Sequence, residues 1–190
     1  MMANRLKLKP IVAAMIAVVT FSLPSLAGDD AARARLNDLY DRLAVAEAEE
    51  ARGIEREIRL EWRRSGSPAM DLLLKRGREA LERGEIDAAI EHLTALTDHA
   101  PDFAEGYHAR ARAWFRAGQV GPAVADLEQA LALDPRHFDA AQGLAVVLEE
   151  LDRPERAYAA YRLVLSIHPH YDPAAEAATR LKPRIEGLTL

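Results

Sequence analysis

The sequence predicts an all-α protein: an α-solenoid of three stacked helix pairs, with a helical extension before it and a capping helix after it. Three in-phase series carry this expectation. Pro101, Pro135 and Pro169 stand 34 residues apart, Gly77, Ala111 and Ala145 repeat the same step, and so do Ala89, Ala123 and Ala157. Proline makes up about 5% of average usage, so a given proline meets two more at fixed offsets by chance roughly once in 400. A period of this length, kept by three separate series, marks a stacked repeat in which each unit buries its apolar face only against its neighbours.

The first element is a leader. Residues 1–27 hold Arg5, Lys7 and Lys9 and no acid, then an uncharged apolar run from Ile11 to Leu23, then Ser25, Leu26 and Ala27. That is the pattern of a secretory signal peptide, cut after Ala27. The apolar run is about a dozen residues, short of the ~20 a membrane-spanning helix needs, which favours a cleaved leader over a retained anchor. No twin arginine is present, so the general secretion route is expected. The chain has no cysteine, which removes disulfides, thiol chemistry and the lipid anchor of a bacterial lipoprotein.

Charge narrows the partners. The whole chain carries a formal −5, and removing the leader takes it to −8, because three bases and no acid leave with it. An acidic product is poorly suited to nucleic acid. Only 4 of the 25 bases are lysine, a bias that fits a GC-rich bacterial genome, and for a bacterial protein export by the leader leads to the expectation of the periplasm or the exterior.

Residues 28–66 read as a helical extension. Leu36, Leu39, Tyr40 and Leu43 make one apolar face, and Ile54, Ile58 and Trp62 another. Continuing the first stripe at 100° per residue would bury Glu47 and Glu50, so two helices with a break near Ala46 to Glu49 fit better than one. At the 34-residue period this segment has Glu55 where a small alanine belongs, so it is not a fourth repeat. It can still stack as a helical cap. Ser65, Gly66, Ser67 and Pro68 supply a stop, a cap and a start for the first repeat.

The repeats, within residues 67–171, run 70–103, 104–137 and 138–171. In the second copy Asp102 is positioned to cap a helix bearing Tyr107, Arg110, Ala111 and Trp114 on one face, and Gly118 stops it. Gly121 then Pro122 opens a second helix, with Ala123, Val124, Leu127, Ala130 and Leu131 as its stripe, ended by Asp134 and Pro135. The third copy uses Pro154 as its opener. Leu93, Leu127 and Tyr161 share a large-apolar slot, Leu96, Ala130 and Val164 another, and Gly84, Gly118 and Asp152 a turn slot. Small residues recur because two helix axes approach closely only where no long side chain intervenes. In residues 172–190, Asp172 caps and Pro173 opens a last helix to about Leu181, which Pro183 breaks before a loose tail.

At these positions the chain resembles the tetratricopeptide repeat family: the Gly or Ala, Ala and Pro slots agree in three consecutive copies from residue 70 to 171. It departs at the first aromatic slots, where only the second copy has both, Tyr107 and Trp114. The resemblance implies three tetratricopeptide-type helix pairs in a right-handed superhelix. Its concave groove, lined by the first helix of each pair, would bind peptides or proteins, and nothing in the family pattern is catalytic. Members that clamp a free peptide carboxylate carry Lys and Asn where this chain has Leu74 and Arg78, which argues against that mode.

Chemistry is sparse. No two histidines sit one turn apart with a carboxylate between, so the metalloprotease arrangement is missing. His168 and His170 flank Pro169, but a zinc site wants three protein ligands and the sequence places no third. Glu47, Glu49, Glu50, Glu55 and Glu57 alternate with arginines as a solvated helix face does. No cofactor, metal or small-molecule substrate is expected.

The groove remains. Its expected binding residues are Leu74 and Arg78 from the first repeat, His108, Arg112, Phe115 and Arg116 from the second, and Gln142 and Val146 from the third. His108, Arg112 and Arg116 make the second repeat's inner face basic, while Asp139, Glu149 and Glu150 make the third's acidic. A partner should then set acids against the second repeat, an apolar group near Phe115 and Val146, and bases against the third. The expectation is a non-catalytic interaction module or scaffold holding a protein or peptide in the cell envelope. The alternative is a membrane-tethered subunit of an envelope assembly complex, if the leader is retained.

Overall fold

The computed structural model describes residues 26–188; the leader-like residues 1–25 lie outside them. Those described form helices α1 (Leu26–Val45), α2 (Ala48–Trp62), α3 (Pro68–Glu82), α4 (Ile86–His99), α5 (Ala104–Arg116), α6 (Val120–Leu133), α7 (Phe138–Glu150), α8 (Pro154–Ile167) and α9 (Asp172–Leu188). No strand occurs among them. Helices α3 to α8 are three antiparallel pairs stacked in order, and α9 packs on α8.

The in-phase small residues do what their size allows. Ala89, Ala111, Ala123, Ala145 and Ala157 are all buried at 1% exposure or less. At Gly77 a β-carbon would lie 2.5 Å from Leu93 Cγ, so α3 and α4 touch there with no room for a methyl group. The turn slot is equally literal. Gly84, Asp152 and Gly118 all have left-handed backbone, with φ of 78°, 52° and 72° respectively, the conformation that ends a helix and reverses the chain. Between the first and second repeats Arg110 clasps Asp126 through two bonds of 2.7 and 2.8 Å and also donates to Thr97, tying α4, α5 and α6 together.

Three local expectations are corrected. Asp102 caps nothing: the residue before α5 is Phe103, with no side-chain cap. Helix α6 opens two residues early, at Val120 after Gln119, which puts Pro122 inside the first turn; a proline is tolerated there because first-turn N–H groups have no helical partner. Pro183 does not end α9. It lies on the exposed side, where the carbonyl it orphans can meet water, while Ile185 packs on the core and Arg184 reaches Asp152 at 2.9 Å.

The larger correction concerns α1 and α2. They are separate helices with a break at Ala46 and Glu47, but they do not cap the free end of the first repeat. Their apolar residues Leu39, Tyr40, Leu43, Ile54, Ile58 and Trp62 join one core cluster with Phe138, Ala141 and Leu148 of α7, the buried face of α8, and α9. The first repeat has its own cluster, built from α3, α4 and α5. The chain turns away at Ser65 to Ser67, where Asp71 accepts from the Ser65 N–H at 2.8 Å and its hydroxyl at 2.6 Å and Gly66 has φ 80°. The N-terminal hairpin therefore folds across to the third repeat.

Candidate functional site

Polar contacts join the apolar stripe in placing the hairpin. Arg59 of α2 donates to both oxygens of Asp139 at 2.8 Å and also pairs with Glu55. Glu55 accepts from His168 Nε2 at 3.2 Å, so it is a bridge between α2 and the loop after α8 and not the solvated charge expected. Tyr40 donates to Asp134 at 2.7 Å. Burial first, and then the Asp134 carboxylate, push the Tyr40 phenol above its ordinary value.

This docking turns the open groove into a cleft of about 190 Å³. Arg59 and Trp62 of α2 and Arg63 just after it form one wall, and Arg78 of α3, Glu105, His108 and Arg112 of α5 and Asp139 of α7 form the other. A smaller recess of about 60 Å³, lined by Arg78, Leu81, Glu82, Arg112 and Arg116, shares Arg78 and Arg112 with it.

The buried centre of the cleft is Glu105, 5% exposed. It accepts from Arg78 at 3.1 Å, from His108 Nδ1 at 2.9 Å and from His137 Nε2 at 3.2 Å. Burial pushes this carboxyl up, but the two histidines outweigh it and hold the group well below the ordinary carboxylate range. Glu105, His108 and His137 bring three potential ligand atoms within 4.8 Å of one another, which raises the question of a metal. The ring of His137 answers it. Its Nδ1 accepts the Ala140 N–H at 3.2 Å, capping α7, so its proton sits on Nε2 and points at Glu105. A cation on Nε2 would need an imidazole bare at both nitrogens, the reverse of the usual ligating histidine, whose second nitrogen donates. The cluster is a hydrogen-bonded anchor. His168 and His170 do not converge either, since His168 is buried and His170 exposed.

Each expected groove residue has a definite place. Leu74 is 2% exposed, packed with Ala109 and Ala113 between repeats, and is corrected from surface to interior, whereas His108, 7% exposed, lines the cleft beside Glu105. Phe115 is half-buried on the core of the second repeat and Val146 on the hairpin cluster. Gln142 keeps a buried side-chain oxygen with no hydrogen-bond partner. Arg78, Arg112 and Arg116 do converge on the cleft. Arg116 donates to the Leu81 carbonyl at 3.0 Å. Arg112 has no hydrogen-bond or ion-pair partner among the described residues, and partial burial followed by the Arg78 charge lowers its proton affinity.

Sequence reasoning missed Arg59, Trp62 and Arg63, which belong to the site through α2. The available signal was an extension with two apolar faces and no repeat to cover them. His137 was equally hidden, although it shares a 34-residue slot with Phe103 and Tyr171 and uses it to stack on Trp62.

Stacked helix pairs with a lined inner cleft and a polar anchor at its base define a helical-repeat scaffold. The tetratricopeptide repeat family model matches residues 115–181. A TPR repeat-containing protein of Rhizobium etli is 32% identical over 154 residues, spanning 80% of this chain and 76% of that protein. The chain belongs to the tetratricopeptide repeat family. Among solved structures, the Sgt2 TPR domain from Aspergillus fumigatus is 26% identical with a TM-score of 0.60, covering 65% of this chain and 83% of that one. The first TPR of Spaghetti (RPAP3), bound to the HSP90 peptide SRMEEVD, shares the fold at 24% identity and TM-score 0.61, covering 63% and 95%.

Proposed function

We propose that this chain is a non-catalytic, exported bacterial interaction module that holds a peptide or protein segment in its concave cleft, in the cell envelope. The observation that carries the reading is the cleft itself: an inner surface between α2, α3 and α5 where Arg112 stands without a partner. Glu105, His108 and His137, the grouping that most resembles reactive machinery, are tied to one another and to the α7 cap. The RPAP3 repeat domain carries its HSP90 peptide on the same fold, and a comparable use is proposed here. The leader over residues 1–27 and the bacterial relative support export from a bacterial cytoplasm. The working division is 28–66 as extension, 67–171 as repeats and 172–190 as capping helix and tail. No helix among the described residues is long and apolar enough to cross a membrane.

The test is affinity capture from envelope extract with the wild-type protein and with Glu82→Trp, which sets a bulky ring in the mouth of the recess without removing an arginine. A partner held by the wild type and lost by the variant is the expected result. Capture that the variant leaves unchanged would move the binding surface elsewhere.

A further inference from the structure

The geometry points to an acidic segment as the occupant of this cleft, recognised through side-chain carboxylates by Arg112 and Arg116 of the second repeat together with Arg63 of the N-terminal hairpin. This rests on the reading of the cleft as a peptide site and adds what it selects and which part of the chain does the selecting.

Charge accounting leads there. Repeat register alone predicts a bipolar groove, basic on the second repeat and acidic on the third. Two of the three acids of the acidic half, Asp139 and Glu149, are already neutralised from within, and Glu150 is left exposed. Asp139 is held by Arg59 through two bonds of 2.8 Å, and Glu149 by Arg180 through bonds of 2.6 and 3.0 Å. Glu105, which could have balanced the basic half, is saturated by Arg78 and two histidines. Arg63, Arg112 and Arg116 are left without a carboxylate partner among the described residues, and basic residues on a partner would have no open acid to meet at Asp139 or Glu149.

Arg112 is the telling member. Its side chain is exposed and lines one recess with Arg78 and Arg116, and no hydrogen-bond or ion-pair acceptor holds it among the described residues. Three like charges lining one recess repel one another until an anion arrives between them. A guanidinium's planar fork matches a carboxylate with two parallel bonds, which suits Asp and Glu side chains. The cleft, at about 190 Å³, has room for side chains of an extended segment and not for a folded surface. The basic spot is local on a chain of net −5, which repels an extended polyanion such as nucleic acid or an anionic bilayer.

The experiment is fluorescence anisotropy on the full protein with a short labelled peptide alternating glutamate and alanine and amidated at its C-terminus. Its glutamine twin, the same twin with a free carboxylate, and phosphatidylglycerol vesicles are the comparison probes. The amidated glutamate peptide should bind at low salt, weaken as salt is added, and exceed the glutamine twin by about ten-fold or more. Arg112→Gln and Arg63→Gln should each weaken it by about ten-fold, and Arg162→Gln, exposed on α8, should not. All three side chains reach solvent, and thermal melts confirm that the variants keep the fold. Equal binding of the glutamine twin overturns acidic selection while leaving a peptide site in place. Binding of the free-carboxylate twin alone overturns it in favour of terminus recognition, and Arg112-dependent vesicle binding overturns it in favour of a membrane surface. Failure of every probe overturns it outright, and an unaffected Arg63→Gln removes the hairpin from the site.

Discussion

Trp62 lies flat on His137, with ring centroids 3.8 Å apart and planes 11° from parallel. The indole joins the end of α2 to the loop that starts the third repeat. Its N–H donates to the Tyr40 oxygen at 2.9 Å, Tyr40 donates in turn to Asp134, and the indole centroid lies 4.7 Å from that of the tilted Phe138 ring. One side chain thus links both hairpin helices to the array.

Trp62→Ala should weaken hairpin docking by about 3 to 5 kcal/mol, the usual cost of emptying a large buried aromatic site. The repeats should stay helical while residues 63–67 become a preferred protease site. Limited proteolysis with a far-UV circular dichroism spectrum checks both. Unchanged cleavage would mean that the apolar stripe alone carries the docking.

Glu105 makes stability depend on acid. Its folded pKa lies below the ordinary value of 4.5, so its contribution is fully present above about pH 4.5 and is lost as pH falls below it toward the folded value. Denaturant titrations should therefore find Glu105→Gln less stable than wild type near pH 7, with the gap closing below about pH 4. Glu149, also depressed by its Arg180 contact, gives both proteins a residual acid sensitivity of the same sign. A gap independent of pH would show that Glu105 acts by shape alone.

Close helix crossings should reject added volume. Gly77→Ala drives a methyl group into Leu93 and should cost about 1 to 3 kcal/mol, and Ala123→Leu, at a fully buried position, at least as much. Thermal melts of either variant that match wild type would break the assigned helix pairing.

Export predicts a defined N-terminus. Protein taken from the native envelope should begin at Gly28, after the cut following Ala27. Edman sequencing or intact mass reads this directly, and Met1 or Met2 at the start would support the retained anchor.

The solenoid was legible because its period is written in residues whose size or backbone is itself the constraint. Even with Asp152 in the glycine slot the left-handed turn is kept, at φ 52°. The docking of α1 and α2 was not legible. A helical wheel shows that Tyr40 and Trp62 face something apolar, but their partners lie in loops far along the chain; the Tyr40–Asp134 bond alone spans 94 residues. The groove was half legible for the same reason. Repeat register sets Leu74 and His108 on the inward side, and only the neighbouring helices decide that Leu74 is covered and His108 reduced to a narrow edge of the cleft while Arg112 is open.

The fold-back of the hairpin also changes how the molecule can come apart. A ladder of helix pairs joined only to its neighbours frays from either end, one rung at a time. Here the last rung is fastened to the start of the chain by Arg59–Asp139 and His168–Glu55, contacts 80 and 113 residues apart in sequence. Opening the third repeat means undocking the hairpin in the same event, which leaves α3 and α4 as the loose end. Amide hydrogen exchange should accordingly be fastest in the first repeat and slowest where α2, α7 and α8 meet.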